Sequence, residues 1–428
     1  MKIRNSVVAA AVITATAISL AGCSGGTGNT GNAGTNNQAA GGEPSGTLTG
    51  LFSSVFKDTY EQIAADFEKK YPKVDVKFDY QGGDVGALVM TQLQGGTAPD
   101  ILTSFPGGTK TDAADTVVSL AASGRIAPLE APWVEDVPDA WKPSVNYEDK
   151  TYAYPGALQP LAGIYNKTKL DELGLKIPTT LDEVYKLCTA AKDAGVYAYS
   201  LGLGDPAGPQ MLTYSQLATL EKDPNQFDAD LAAGKKTYAD SVWVDQFGIY
   251  KKMGDAGCFG EGALGRSRDQ AGQEVAKGSA LASVDVGAML GQLQKMAPES
   301  SFQVAAMPAT NNATDTKVVA LPGYVNTINA KAKNPTAAQA FLEFMGEPEP
   351  SAIYAKGFAS VPVLANDVYK APEELAAFAD LINRGAYAPL GTVQSEVQAQ
   401  LNQALQSLIL GDSTPRQVAE KMDTVYKK

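Results

Sequence analysis

Forty-seven Asp and Glu side chains and no His define the chemistry open to this 428-residue chain. Without imidazole there can be no Ser-His-Asp or Cys-His nucleophile and no zinc site built on His, and no metal is expected. Carboxylates alone can cut a glycosidic bond as an acid and base pair, but no two of them stand in a recognisable catalytic setting. Of the three Cys, Cys188 and Cys258 are left once Cys23 is assigned to an export signal. They form either one disulfide or two buried thiols, and neither resembles a catalytic thiol. Gly202-Leu203-Gly204-Asp205-Pro206-Ala207 formally matches the G-x-G-x-x-A dinucleotide pattern. Asp205 would aim a carboxylate at the diphosphate, so the match is set aside and no cofactor is expected.

The elements that must position any site follow from periodicity. Leu48–Phe52 reads as a strand, and Tyr60, Ile63, Ala64, Phe67 and Tyr71 share one face of a helix that Pro72 stops. Val74, Val76 and Phe78 alternate with charged residues as a second strand. A helix from Val85 to Gln94 then leads through Gly95-Gly96 to a third strand at Ile101. The order β-α-β-α-β predicts a mainly parallel sheet flanked by helices, with ligands bound outside the carboxyl ends of its strands. The loops to search are therefore Ser53–Lys57, Gln81–Asp84 and Ser104–Lys110. Further on, Thr180-Leu181-Asp182-Glu183 is a capping box, and Asn334-Pro335 and Thr414-Pro415 open helices over 336–346 and 416–427. Val397, Leu401, Leu405 and Leu408 form a packing stripe within Val393–Leu410.

At the start of the chain, Lys2 and Arg4 precede an uncharged run from Ser6 to Leu20, and Leu20-Ala21-Gly22-Cys23 follows. Charge, apolar core and small-residue box read as a lipoprotein signal over 1–22, with lipid on Cys23 anchoring the mature chain outside the cytoplasmic membrane. Residues 23–46, rich in Gly, Asn and Thr, read as a disordered tether. The remainder is long enough for two lobes. The net charge of −12 argues against nucleic acid as a partner.

Several stretches carry a family resemblance. Phe67-Glu68-Lys69-Lys70-Tyr71-Pro72-Lys73-Val74-Asp75-Val76, Gly95-Gly96-Thr97-Ala98-Pro99-Asp100-Ile101, Tyr147–Pro155 with Ile164-Tyr165-Asn166-Lys167, Ile177–Glu183, Phe341-Leu342-Glu343-Phe344 and Ser413-Thr414-Pro415 occur in this order. Together they resemble the extracellular solute-binding proteins of bacterial ABC importers, in the branch that binds maltose and other oligosaccharides. The resemblance implies a periplasmic-binding-protein-like fold of two α/β lobes, 47–157 with 304–357 and 158–303 with 358–428, joined by crossing strands. It also implies a monomer that closes on a carbohydrate by hinge motion, presents it to permease subunits and performs no covalent chemistry. A non-sugar solute, namely a polyol, peptide or phosphate ester, and an exported two-carboxylate glycoside hydrolase are the alternatives. Lys57 and Lys110 are the cations of the candidate loops, too few for a phosphate site.

A sugar needs aromatic rings against its C–H faces and hydrogen-bonding groups at its hydroxyl rim. By the resemblance Gln159, between Pro155 and Tyr165-Asn166, falls where relatives place a sugar-binding Glu. Phe105 is a stacking candidate, with Ser104 beside it, and Gly323-Tyr324 ends a segment that lines the cleft in relatives. Asp285 could grip a hydroxyl pair or cap a helix over Val286–Gln294. Asp205 and Tyr214, after a strand at Val196–Leu201, and Ser54 and Phe56, in the first loop, complete the candidates.

Overall fold

The computed structural model describes residues 42–108, 115–205, 208–390 and 393–426. Cys23, the signal over 1–22, most of the expected tether and Lys110 lie outside the described residues.

The first sheet begins as the periodicity predicts. Strands β1 (Gly46–Ser53), β2 (Val74–Gln81) and β3 (Ile101–Ser104) pair in parallel in the order β2-β1-β3. The helices Lys57–Lys70 and Val85–Gly95 connect them. Tyr60, Ile63, Ala64 and Phe67 are the buried face of the first helix, and Asp84 caps the second by accepting the Ala87 N–H. Short strands β4 (Ile126–Ala127) and β7 (Ala153–Tyr154) join this sheet, while β5 (Asn146–Tyr147) and β6 (Lys150–Thr151) form a separate hairpin.

The second sheet is organised on β8 (Ala157–Asn166), whose ten residues are nearly all buried. Strands β9 (Tyr197–Tyr199), β10 (Ala280–Val286), β11 (Phe302–Ala305), β12 (Val318–Pro322), β14 (Val361–Pro362) and β15 (Tyr387–Ala388) complete it. β10, β11, β12 and β14 all run antiparallel to β8, and β9 runs parallel to β10. The first sheet is closed late, by β13 (Val325–Asn329), which lies antiparallel to β3, β4 and β7. The return to the first sheet therefore falls at Val325 and not at 304: β11 and β12 pair with β8, because the long β8 offers hydrogen-bonding edges along its whole length. The two mixed α/β sheets with flanking helices are the expected bilobed architecture.

Three chain segments cross between the sheets: Tyr154 to Ala157, Pro322 to Val325, and Gly357 to Val361. They are bonded to each other. Gly323 N–H donates to Ala157 O and Val363 N–H to Gly156 O, and Tyr354 Oη donates to Tyr324 O at 2.8 Å. Gly156 adopts φ +66°, and a side chain there would press on the Tyr354 ring and the Tyr324 carbonyl. Phe358 stacks between Phe56 of the first sheet's leading loop and Tyr354, at 3.6 and 4.2 Å between ring centroids.

In the second lobe, Val184, Leu187, Cys188 and Ala191 are the buried face of helix Leu181–Asp193, which starts with the expected Thr180/Glu183 capping box. Cys188 is joined to Cys258 by a disulfide, with both residues fully enclosed. This settles the alternative left open by their spacing. The stripe Val397, Leu401, Leu405 and Leu408 is buried on helix Ser395–Leu410.

Candidate functional site

Three crossings held by hydrogen bonds bring together the ends of strands from both sheets, and most of the expected site residues meet there. β3 ends at Ser104 and Phe105 follows it, bridged to Thr116 and 43% exposed. Its ring lies 4.8 Å from that of Tyr324, tilted by 52°. Tyr324 sits in the crossing between β12 and β13, half-buried. Burial, and then the charges of Asp115 and Asp84, raise its phenol above the usual range. Gly323 precedes it, and a methyl group on Gly323 would stand 3.5 Å from Gln159 Nε2. Gln159 pairs with Leu321 across β8 and β12, and its carboxamide makes no hydrogen bond to any described residue. An unengaged amide beside an aromatic pair has donors and an acceptor to offer a ligand.

Gly287 continues this row. Its Cα packs on Gln159, where an added methyl group would meet Gln159 Cβ at 3.4 Å and Ala359 O at 2.9 Å. Two residues earlier, at the carboxyl end of β10, stands Asp285. The carboxylate is buried and both oxygens accept from Arg268: Oδ2 from Nε at 2.6 Å, and Oδ1 from Nη2. Oδ1 also accepts the Val286 N–H at 2.6 Å. Of the two roles expected for Asp285, the helix cap is not seen, because the N-cap of the following helix is Gly287; for the other, both carboxylate oxygens already accept from Arg268. A buried carboxylate needs such a partner. Asp205, half-buried, accepts the Arg268 backbone N–H at 2.5 Å.

Arg268 is therefore the residue that the sequence reading missed. A signal was present: Ser267 and Gln270 form a capping box, which places Arg268 in the first turn of a helix leading into β10. Such a helix starts beside the carboxyl ends of the strands. The two glycines of the formal dinucleotide pattern, and Gly208 just after it, have a packing reason. A methyl group on Gly202 would collide with Arg268 Cα at 2.7 Å, one on Gly204 with Gly265 C at 2.9 Å, and one on Gly208 with Gly202 O at 1.6 Å. The loop is folded tightly on segment 265–268, leaving those glycines to serve backbone packing. Pro206 and Ala207 lie outside the described residues.

The remaining candidates are more enclosed or lie at the rim. Ser104 is fully buried within the first sheet, its Oγ 3.1 Å from Thr327 Oγ1. Tyr214 is 7% exposed, donates to Gln210 Oε1 at 3.1 Å and lines a cavity of about 40 Å³ with Leu217, Phe227, Trp243 and Val319. That cavity belongs to the second lobe's own core. Phe56 is occupied by Phe358. Ser54 is exposed in the short 3₁₀ turn Ser54–Phe56 at the end of β1.

The model of the bacterial extracellular solute-binding protein family matches residues 53–352, which take in most strands of both sheets and two of the three crossings. The chain belongs to that family. Members of the extracellular solute-binding protein family are non-catalytic binding proteins that act outside the cytoplasm. A Brucella abortus binding protein is 24% identical over 393 residues, which are 86% of this chain and 90% of that protein. The multiple sugar-binding protein of Streptococcus mutans is 29% identical over 137 residues, 31% of this chain and 30% of that protein. Among solved structures, the binding protein RafE in complex with raffinose superposes with a TM-score of 0.71 at 20% identity, covering 88% of this chain and 98% of RafE. A Bacillus licheniformis sugar transporter in complex with stachyose gives 0.64 at 21%, covering 89% and 99%. These likenesses establish the two-lobed fold of this solute-binding protein.

Proposed function

We propose that this solute-binding protein is the capture component of an ABC importer for a carbohydrate, most suitably an oligosaccharide. The observation that carries the reading is the row formed by Phe105, Tyr324, Gly323 and Gln159 at the crossings between the sheets. Aromatic faces suit the C–H surface of a pyranose, and an uncommitted carboxamide suits its hydroxyls. Raffinose on RafE, stachyose on the Bacillus licheniformis protein and the name of the Streptococcus mutans relative support the same chemistry. Rotation about the bonded crossings would bring the lobes together on the sugar, and the closed form is what the permease would receive. The protein acts as a monomer, held at the outer face of the membrane by lipid on Cys23, with the Gly-, Asn- and Thr-rich stretch that follows as tether.

The test is a thermal-shift screen of the soluble domain against raffinose, stachyose and malto-, xylo- and chito-oligosaccharides, beside polyols, peptides and phosphate esters. A ligand at a hundred times its Kd adds about 2.7 kcal/mol to stability. An upward shift with an oligosaccharide is expected. A shift with a non-sugar solute alone would replace the sugar reading, and Cys23→Ser remaining in the membrane fraction would remove the lipid anchor.

A further inference from the structure

The ion pair of Arg268 and Asp285 has geometry beyond what its own satisfaction requires. Asp285 takes Nε and one Nη2 hydrogen in a fork, which fixes the plane of the guanidinium. The Arg268 side chain is nevertheless 40% exposed, against 5% for Asp285, and its Nη1 donates to no described residue. Asp205 packs against the backbone of the same residue. One of its oxygens is held by the Arg268 backbone, and the other has no hydrogen-bond partner among the described residues. A fixed donor plane next to a free acceptor matches neighbouring hydroxyls on a sugar ring, each of which both donates and accepts.

Position and charge point the same way. Asp285 is two residues from Gly287, which packs on Gln159, so the pair lies at the end of the second sheet where the aromatic row begins. The charge of Arg268 is cancelled by Asp285, and Asp205 leaves this bank net negative. On the facing bank, Asp84 and Asp115 lie close enough to Tyr324 to bias its ionisation. A ligand carboxylate would meet like charge on both sides.

Resting on the sugar-binding reading, we infer that Arg268 is a specificity-determining residue of the cleft: its uncommitted N–H groups and the second oxygen of Asp205 grip adjacent hydroxyls of a neutral sugar, and the surrounding carboxylates exclude an acidic one. A charge-assisted hydrogen bond lost from such a contact lowers affinity about tenfold or more.

The experiment uses the oligosaccharide that binds most tightly in the screen, together with the same oligosaccharide oxidised from primary alcohol to carboxylate. Calorimetric titration of the wild-type protein should show the oxidised form binding at least about tenfold more weakly, because like charges oppose it. Arg268→Lys, which keeps Asp285 paired but loses the fork, and the double variant Arg268→Gln/Asp285→Asn, which removes both charges, should each bind the neutral sugar about tenfold more weakly. Asp205→Asn should narrow the gap between the two sugars. Equal binding of both sugars by the wild type, or unchanged neutral-sugar affinity in Arg268→Lys at an unchanged ligand-free melting temperature, would overturn the inference while leaving the sugar reading intact. Binding of no oligosaccharide by the wild type would overturn both.

Discussion

Replacing Gln159 by Ala isolates the contribution of one side chain to ligand capture, because in the ligand-free chain its carboxamide bonds to no described residue. Removing it leaves no buried group unpaired, and the strand pairing of β8 with β12 rests on the backbone at this position. Ligand-free stability should therefore change by no more than about 0.5 kcal/mol, the range of substitutions away from core contacts. In the complex one or two hydrogen bonds to hydroxyls disappear. A neutral hydrogen bond contributes about 1 kcal/mol net, or about a fivefold change in Kd. If the closed lobes leave the sugar hydroxyl buried and unpaired, the loss rises to about 3 kcal/mol, more than a hundredfold. The assay is calorimetric titration of wild type and Gln159→Ala with the screened sugar, beside denaturant melts without it. Gln159→Glu tests the chemistry: it retains acceptors and loses the donors, so it should bind well only if the amide accepts. Unchanged affinity in Gln159→Ala would remove the residue from the site, and a fall of more than about 1 kcal/mol in ligand-free stability would show a structural role.

Three further outcomes follow from the packing. The Cys188–Cys258 disulfide closes a loop spanning 70 residues, and the chain-entropy model assigns such a crosslink about 4 kcal/mol; urea unfolding with and without reductant should show that loss, and identical midpoints would contradict it. Gly208→Ala should destabilise the second lobe by about 1–3 kcal/mol and weaken sugar binding, since the new methyl group would lie 1.6 Å from Gly202 O and must displace the loop carrying Asp205; a variant with wild-type melting and affinity would refute that. Burial pushes Tyr369 up to about 12, with the charge of Glu374 adding to it, and carries Tyr60, Tyr154, Tyr165 and Tyr250 well above the phenol range. The folded state then holds protons that the unfolded state releases from pH 10 upward. Stability owed to these groups is thus complete below pH 10 and declines above it, by up to about 1.4 kcal/mol per pH unit for each tyrosine. Urea midpoints at pH 9, 10 and 11 test this, a flat profile being the adverse result.

Local rules were enough for much of the frame. The alternation in Val74–Phe78 and the stripe Tyr60, Ile63, Ala64, Phe67 are periodicities of one strand and one helix, and they determine which face of each is buried. Thr180 with Glu183, Asn334 with Pro335 and Thr414 with Pro415 act within a few residues, and each starts a helix at the expected place. The family resemblance, spread over motifs in order, supplied the two-lobed arrangement and pointed to Gln159.

Tertiary structure decided what depends on residues far apart in the chain. Spacing could not say that Cys188 and Cys258 come within bonding distance, because a long loop can close in many ways. Nor could it assign β11 and β12 to the second sheet, since an apolar strand pairs with whichever edge the fold presents. The side chains of Asp285 and Tyr214 are ordinary ligand-binding types, but one is committed to Arg268 and the other to Gln210 and an aromatic core. Burial selects a partner for most of the polar groups it encloses. Only the folded chain distinguishes groups already satisfied, such as Ser104, from those whose side chain bonds to no described residue, such as Gln159.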